Sequence, residues 1–179
     1  MQSWMPNRAV WLAAALSAAV LPAACSPPDQ FAPACPVLKL LPDAADLSSF
    51  SAQGGDVTDL LLSARIMAVP ATCKAGSRGK VDATLNVVMA VNRGPALPGR
   101  STQVPYFITV MDGNTMLQQK DYLMPVVFPP NVDQGKATSV DIFMEFPVTP
   151  QKSAVAYTIY VGIRLTAEQL QYNRRNPTQ

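Results

Sequence analysis

The sequence contains no histidine. That absence removes the commonest general base, the commonest metal ligand, and both Ser-His-Asp and Cys-His catalysis. Charge is also scarce: 15% of the residues are charged and the formal net charge is +2. A chain so nearly balanced has no field with which to steer nucleic acid or to hold an anionic membrane. Both tryptophans, Trp4 and Trp11, lie in the first apolar stretch. If that stretch is removed, nothing is left of the best residue for carbohydrate stacking or for an interface anchor. No apolar run is long enough for a permanent membrane-spanning helix: the longest, from Ala9 to Val20, falls short of the bilayer core.

What that run does fit is an export signal, since Arg8 precedes it and small residues close it. Cys25 stands directly after Leu21-Pro22-Ala23-Ala24. This pattern resembles the lipobox of bacterial lipoproteins, in which the cysteine sulfur receives a diacylglycerol and becomes the new N-terminus. The usual leucine place holds Pro22, and an ordinary secretory signal with a coincidental cysteine is the alternative. The expected organisation is a signal peptide over 1–24, a Pro-rich tether over 25–36 and one folded domain over 37–179. The tether carries Pro27, Pro28, Pro33 and Pro36, which favour extended polyproline II backbone reaching about 3.1 Å per residue. Ser26 follows Cys25, where the lipoprotein systems this resembles use aspartate to retain proteins in the inner membrane. Outer-membrane sorting is therefore expected.

From Val37 onward the periodicity is that of strands. Val37 to Leu41 is a short apolar run, and Asp43 to Asp56 reads as loop. A strand is expected from Asp59 to Val69, broken at Pro70. The cleanest alternation sets Val81, Ala83, Leu85, Val87, Met89 and Val91 on one face. Gly94 to Ser101 is a loop, and strands flank the turn Asp112-Gly113-Asn114 as a hairpin. Pro125 makes the outgoing strand an edge or a bend. Ser139 to Phe146 and Ala154 to Leu165 complete a set that predicts a seven-stranded antiparallel β-sandwich of immunoglobulin or fibronectin-III type. A short C-terminal helix follows, capped by Thr166 with Gln169 reaching back and Leu165 packing on Leu170.

Several chemical patterns are present and incomplete. Ser77 and Lys80 have the Ser-x-x-Lys spacing of penicillin-recognising enzymes, but no Ser-Asp-Asn or Lys-Thr-Gly follows. Gly94 to Ser101 is one residue from a phosphate-binding loop, with Arg100 in the lysine place, yet Pro95 and Pro98 lack the N–H groups such a loop needs. Ser77, Lys80 and Arg100 are therefore expected to be ordinary surface side chains, each costing within about half a kcal/mol on replacement by alanine. Asp112-Gly113-Asn114 and Asp56 to Asp59 lack the repeated oxygen ligands of a calcium loop. The six methionines from Met67 to Met144 have no close Met-x-x-Met spacing and read as core filling. Leu123 to Pro130 reads either as a buried strand or as an edge that a partner strand extends.

With Cys25 acylated, two thiols remain in an oxidising compartment, and Cys35 with Cys73 is the one pairing left to them. The sites expected are thus lipidation at Cys25 and a disulfide between Cys35 and Cys73, with no catalytic, metal or cofactor site. Cys35-Pro36, Thr72-Cys73, Arg93-Gly94-Pro95, Pro105-Tyr106-Phe107, Phe128-Pro129-Pro130, Val161-Gly162 and the ending from Leu165 to Asn173 together resemble a group of small, uncharacterised lipoproteins of alphaproteobacteria. The resemblance implies a lipid-anchored envelope domain and carries over no activity. The expected function is a non-catalytic, periplasm-facing interaction or accessory module that meets the membrane through its lipid and an envelope protein through its fold. A carrier or sensor of a small apolar ligand is the alternative, and an unrecognised enzyme comes third.

Overall fold

Alternation of apolar and polar side chains decides which segments pair. The computed structural model describes residues 33–51, 55–77 and 79–176, and these form eleven strands and one α-helix. The strands are β1 (Val37–Leu40), β2 (Asp46–Phe50), β3 (Leu60–Ala68), β4 (Ala71–Ala75), β5 (Lys80–Leu85), β6 (Val88–Arg93), β7 (Ser101–Asp112), β8 (Thr115–Val127), β9 (Gln134–Thr138), β10 (Ile142–Pro147) and β11 (Tyr157–Ile163). The helix α1 spans Ala167–Arg175. All described residues belong to one compact unit, Phe31–Gln179. The export signal and Cys25 lie outside the described residues, as does the tether up to residue 32.

The strands make three sheets, ordered β1-β11-β7-β8, β10-β5-β4 and β2-β3-β6-β9. One sheet is mixed, because β1 runs parallel to β11. The expectation of seven antiparallel strands is corrected in direction, since β1 is parallel, and in number at four places, one of them Ala71–Ala75, where no strand was expected and β4 pairs with β5. Asp46 to Phe50, read as loop, pairs with β3 because Leu47 is buried and Asp46 meets Arg65 at 2.5 Å. Here tertiary pairing overrides a composition poor in strand formers. The long run from Val81 to Val91 is cut into β5 and β6, and the segment after Asn131 begins as β9 before breaking and resuming as β10.

The cuts have one cause. Pro70 cannot donate to a ladder, and its carbonyl instead accepts from Asn86 N at 3.1 Å. Asn86 turns its own amide to Asp141 at 2.5 Å, and Val87 N donates to Ser139 Oγ at 2.9 Å. Ala71, Leu85 and Ile142 are in register on one side of the interruption, and Ala68, Val88 and Thr138 on the other. Three strand paths therefore crease at one level. The inward alternation survives the crease: Val81, Ala83, Leu85, Val87, Met89 and Val91 are all buried. They join Val104, Tyr106 and Ile108 of β7 and Ile159, Val161 and Ile163 of β11 in a single core.

The helix forms as its signals predict. Thr166 Oγ1 accepts from Gln169 N at 3.2 Å, and Thr166 N donates to Gln169 Oε1 at 2.9 Å. Its attachment is largely polar, and no helix residue is fully buried. Asn173 Nδ2 donates to the carbonyls of Asp43 and Asp46 at 3.0 and 2.7 Å, Arg174 pairs with Asp43 at 2.8 Å, and Tyr172 lies against Phe50. Among the described residues no helix is long and apolar enough to cross a membrane.

Cys35 and Cys73 are joined as expected, with their Cα atoms 5.6 Å apart and a sequence separation of 38. The bond ties the segment before β1 to β4. Closing a loop of this length removes about 4 kcal/mol of chain entropy from the unfolded state, less whatever residual structure that state retains. Replacing both cysteines by alanine should lower unfolding stability by about 2–4 kcal/mol, read as a fall in the urea midpoint, with a steeper slope because the unlinked unfolded chain exposes more surface. A midpoint within error of the parent would show that the bond does not constrain the chain.

Candidate functional site

The first sheet ends in β8 and the second in β10, and side chains from these two edges line one open groove of about 340 Å³. Its floor is Val110, Tyr122, Met144, Phe146 and Tyr157, and Leu117 and Phe143 stand at its rim. Most of the large apolar side chains exposed among the described residues fall between Met116 and Phe143. Phe143 is 75% exposed and Leu117 52%. Singly scattered exposed apolar residues need no explanation, whereas here they are concentrated between Met116 and Phe143.

Register explains the groove. Read back from buried Val126 and Met124, the inward phase of β8 passes through Tyr122, Lys120 and Gln118. The inward phase of β10 is Ile142, Met144 and Phe146, and Met144 is only half-buried. Inward positions that would close the core thus carry an amide and an ammonium, and the methionine opposite stays partly uncovered. The Lys120 ammonium lies 5.2 Å from the Tyr122 ring centroid and has no ion pair among the described residues. Tyr122 stacks on Tyr106 with centroids 5.2 Å apart. Burial pushes both phenols above the ordinary tyrosine range; at Tyr106 a hydrogen bond with Ser139 opposes this and Tyr122 adds to it. At the far end, Lys152 sits 4.5 Å from the Tyr157 centroid and is ion-paired to Asp112, whose hydrogen bond holds the ammonium above the usual lysine range.

Leu123 to Pro130 combines buried side chains with a place at a sheet edge. Met124, Val126 and Phe128 are buried while Leu123 and Val127 are exposed, and the strand is an edge. Phe128 N donates to Arg100 O at 2.8 Å, and Val127 is in register with Ser101. Even-numbered residues of β8 therefore turn their backbone groups to β7, and odd-numbered ones turn theirs outward. Pro125 falls on the outward set, so its missing N–H breaks no ladder bond.

No family model, no curated protein and no solved structure matches the chain. Its chemistry must be argued from its own residues.

The other patterns resolve into local architecture. Lys80 N donates to Ser77 O at 2.9 Å in a turn, and Lys80 Nζ donates to Glu145 at 2.5 Å. Glu145 raises the lysine above its ordinary range, opposite to the lowered value a general-base lysine needs. Asp112 precedes the turn at Gly113, whose φ of 56° only glycine adopts freely, and Asp56 caps a 3-10 turn at Val57–Asp59. Among the described residues no cluster of three or more His, Cys, Asp or Glu side chains could hold a metal. The methionines divide: Met89 and Met124 are core, whereas Met67 and Met116 are more than half exposed, which corrects their general assignment as core filling.

Arg100 also differs from expectation. Its guanidinium donates to the carbonyls of Phe128, Pro129 and Val132 and to Asp133, at 2.6 to 3.0 Å. It fastens the β8–β9 connection to the start of β7, and Arg93 secures its own loop through Leu97 O and Gly99 O. The sequence reading missed this role and those of Lys120 and Phe143, and it took Met144 simply as core filling. A signal for Lys120 and Phe143 was present: an aromatic on the wet phase of β10 and polar residues on the dry phase of β8. Arg100→Ala should destabilise the fold by about 1–3 kcal/mol, since several charge-assisted bonds to half-exposed carbonyls are lost. Chemical denaturation checks it, and a change within about half a kcal/mol would return Arg100 to the ordinary surface class.

Proposed function

We propose that the chain is a lipid-anchored, periplasm-facing lipoprotein that serves as a non-catalytic interaction module of the cell envelope. The observation that carries the interaction role is the open seam between β8 and β10, where an exposed aromatic, a lysine with no ion pair among the described residues and an unfinished stretch of core meet. The anchor rests on Arg8, the apolar run to Val20 and Cys25 after Ala23-Ala24, and Ser26 favours the outer membrane over the inner. The disulfide is in keeping with an oxidising compartment. The folded part is read as an immunoglobulin or fibronectin-III type sandwich: β4, β5 and β10 continue β3, β6 and β9 across the crease, so that three sheets act as two layers. The resemblance to small alphaproteobacterial lipoproteins supports the same assignment.

The groove volume favours one second reading, a carrier of a small apolar ligand or lipid. The two separate readily, because a carrier purifies with lipid detectable by mass spectrometry and an interaction module does not. For the anchor, Cys25→Ser should abolish incorporation of radiolabelled palmitate. It should also release the protein from membranes that otherwise yield it to detergent and not to salt. Unchanged labelling in that variant contradicts the lipoprotein assignment.

A further inference from the structure

We propose that the β8 edge receives an extended polypeptide as an added antiparallel strand, and that Lys120 selects one with an acidic residue flanked at alternate positions by apolar ones. This rests on the interaction-module reading and names its partner class. The backbone groups of Gln119, Asp121 and Leu123 face outward from β8, as the ladder register requires. The window is bounded by Pro125 on one side and by the register shift beside Met111 on the other. A strand laid there extends the sheet over β10. Its inward side chains then fall beside Gln118, Lys120 and Tyr122 and above half-buried Met144, which they cover.

Charge decides what fits. An inward-pointing charge near an edge is a device that discourages indiscriminate strand pairing. Lys120 points inward, is free of ion pairs among the described residues, and has an apolar floor beneath it. A wholly apolar strand would bury that ammonium without a counter-charge. A strand with a carboxylate directly across from Lys120 neutralises it at cross-strand distance, and apolar residues two places to either side occupy the groove by Phe143 and Met144. Affinity then comes from main-chain bonds and specificity from the inward side chains, as in other strand additions.

The test uses the purified domain with its disulfide intact and an acetylated peptide, Val-Thr-Val-Thr-Glu-Thr-Val-Thr-Val, with a control in which lysine replaces the glutamate. The Glu peptide should bind about tenfold more tightly than the Lys peptide. Lys120→Glu should reverse that order. N-methylation of the threonines, whose amides face β8, should abolish binding. Amide exchange should slow at Gln119, Asp121 and Leu123 when the Glu peptide is present. Equal binding of both peptides, or protection elsewhere, overturns the proposal. So does protection of the same amides that grows with protein concentration alone, because the edge would then pair with a second copy. If the peptides fail while whole-cell cross-linking still joins another face to an envelope protein, the edge assignment falls and the module reading stands. Lipid bound in the groove of the purified domain would instead remove both.

Discussion

An exposed proline between β3 and β4 shapes the architecture. Pro70 has no N–H to give, so the strand path it interrupts cannot run straight through, and its neighbours interrupt at the same level. Asn86 and Ser139 take up the backbone groups released there, Asn86 through its own N–H and Ser139 through its hydroxyl. The inward phase is kept across the break, which lets one core serve three sheets. Had the interruption shifted the phase by one residue, every apolar side chain beyond it would have turned to water.

The edges of the structure are treated differently. The edge at β2 is tied by Asn173, Arg174 and Tyr172 of α1, and the segment leading into β1 is bonded to β4 through Cys35 and Cys73. Among the described residues no comparable closure lies over β8 and β10, where Lys120 and Gln118 occupy inward positions. Closing this seam with apolar residues would add burial at about 25 cal/mol per Å². That gain is forgone where most of the exposed large apolar side chains among the described residues gather. An unfinished core beside an exposed backbone edge is what strand recognition requires, and Lys120 limits what can finish it.

Much of this was legible in the sequence, where the signal was local. The capping box of α1, the hairpin at Gly113 and the alternation of β5 with β6 depend on residues close together in the chain. The disulfide followed from counting, because the expectation that Cys25 is acylated left Cys35 and Cys73 as the one pair. What escaped depends on distant partners. β2 looks like loop until β3 supplies a register and Arg65 a counter-charge for Asp46. Arg100 looks like a solvated arginine until the β8–β9 connection brings three carbonyls to it. Lys120 looks like an ordinary wet position until the phase set by Met124 and Val126 is carried back along β8.

The central claim is that the seam between β8 and β10 is the working surface. Its most direct test is photo-cross-linking in intact cells from single positions on opposite sides of the domain. A photoreactive residue at Leu117 or Phe143 should join the protein to one and the same envelope partner, while one at Lys39, beside the disulfide-tied segment, should not. Equal capture from Lys39, or capture from Lys39 alone, would contradict the account.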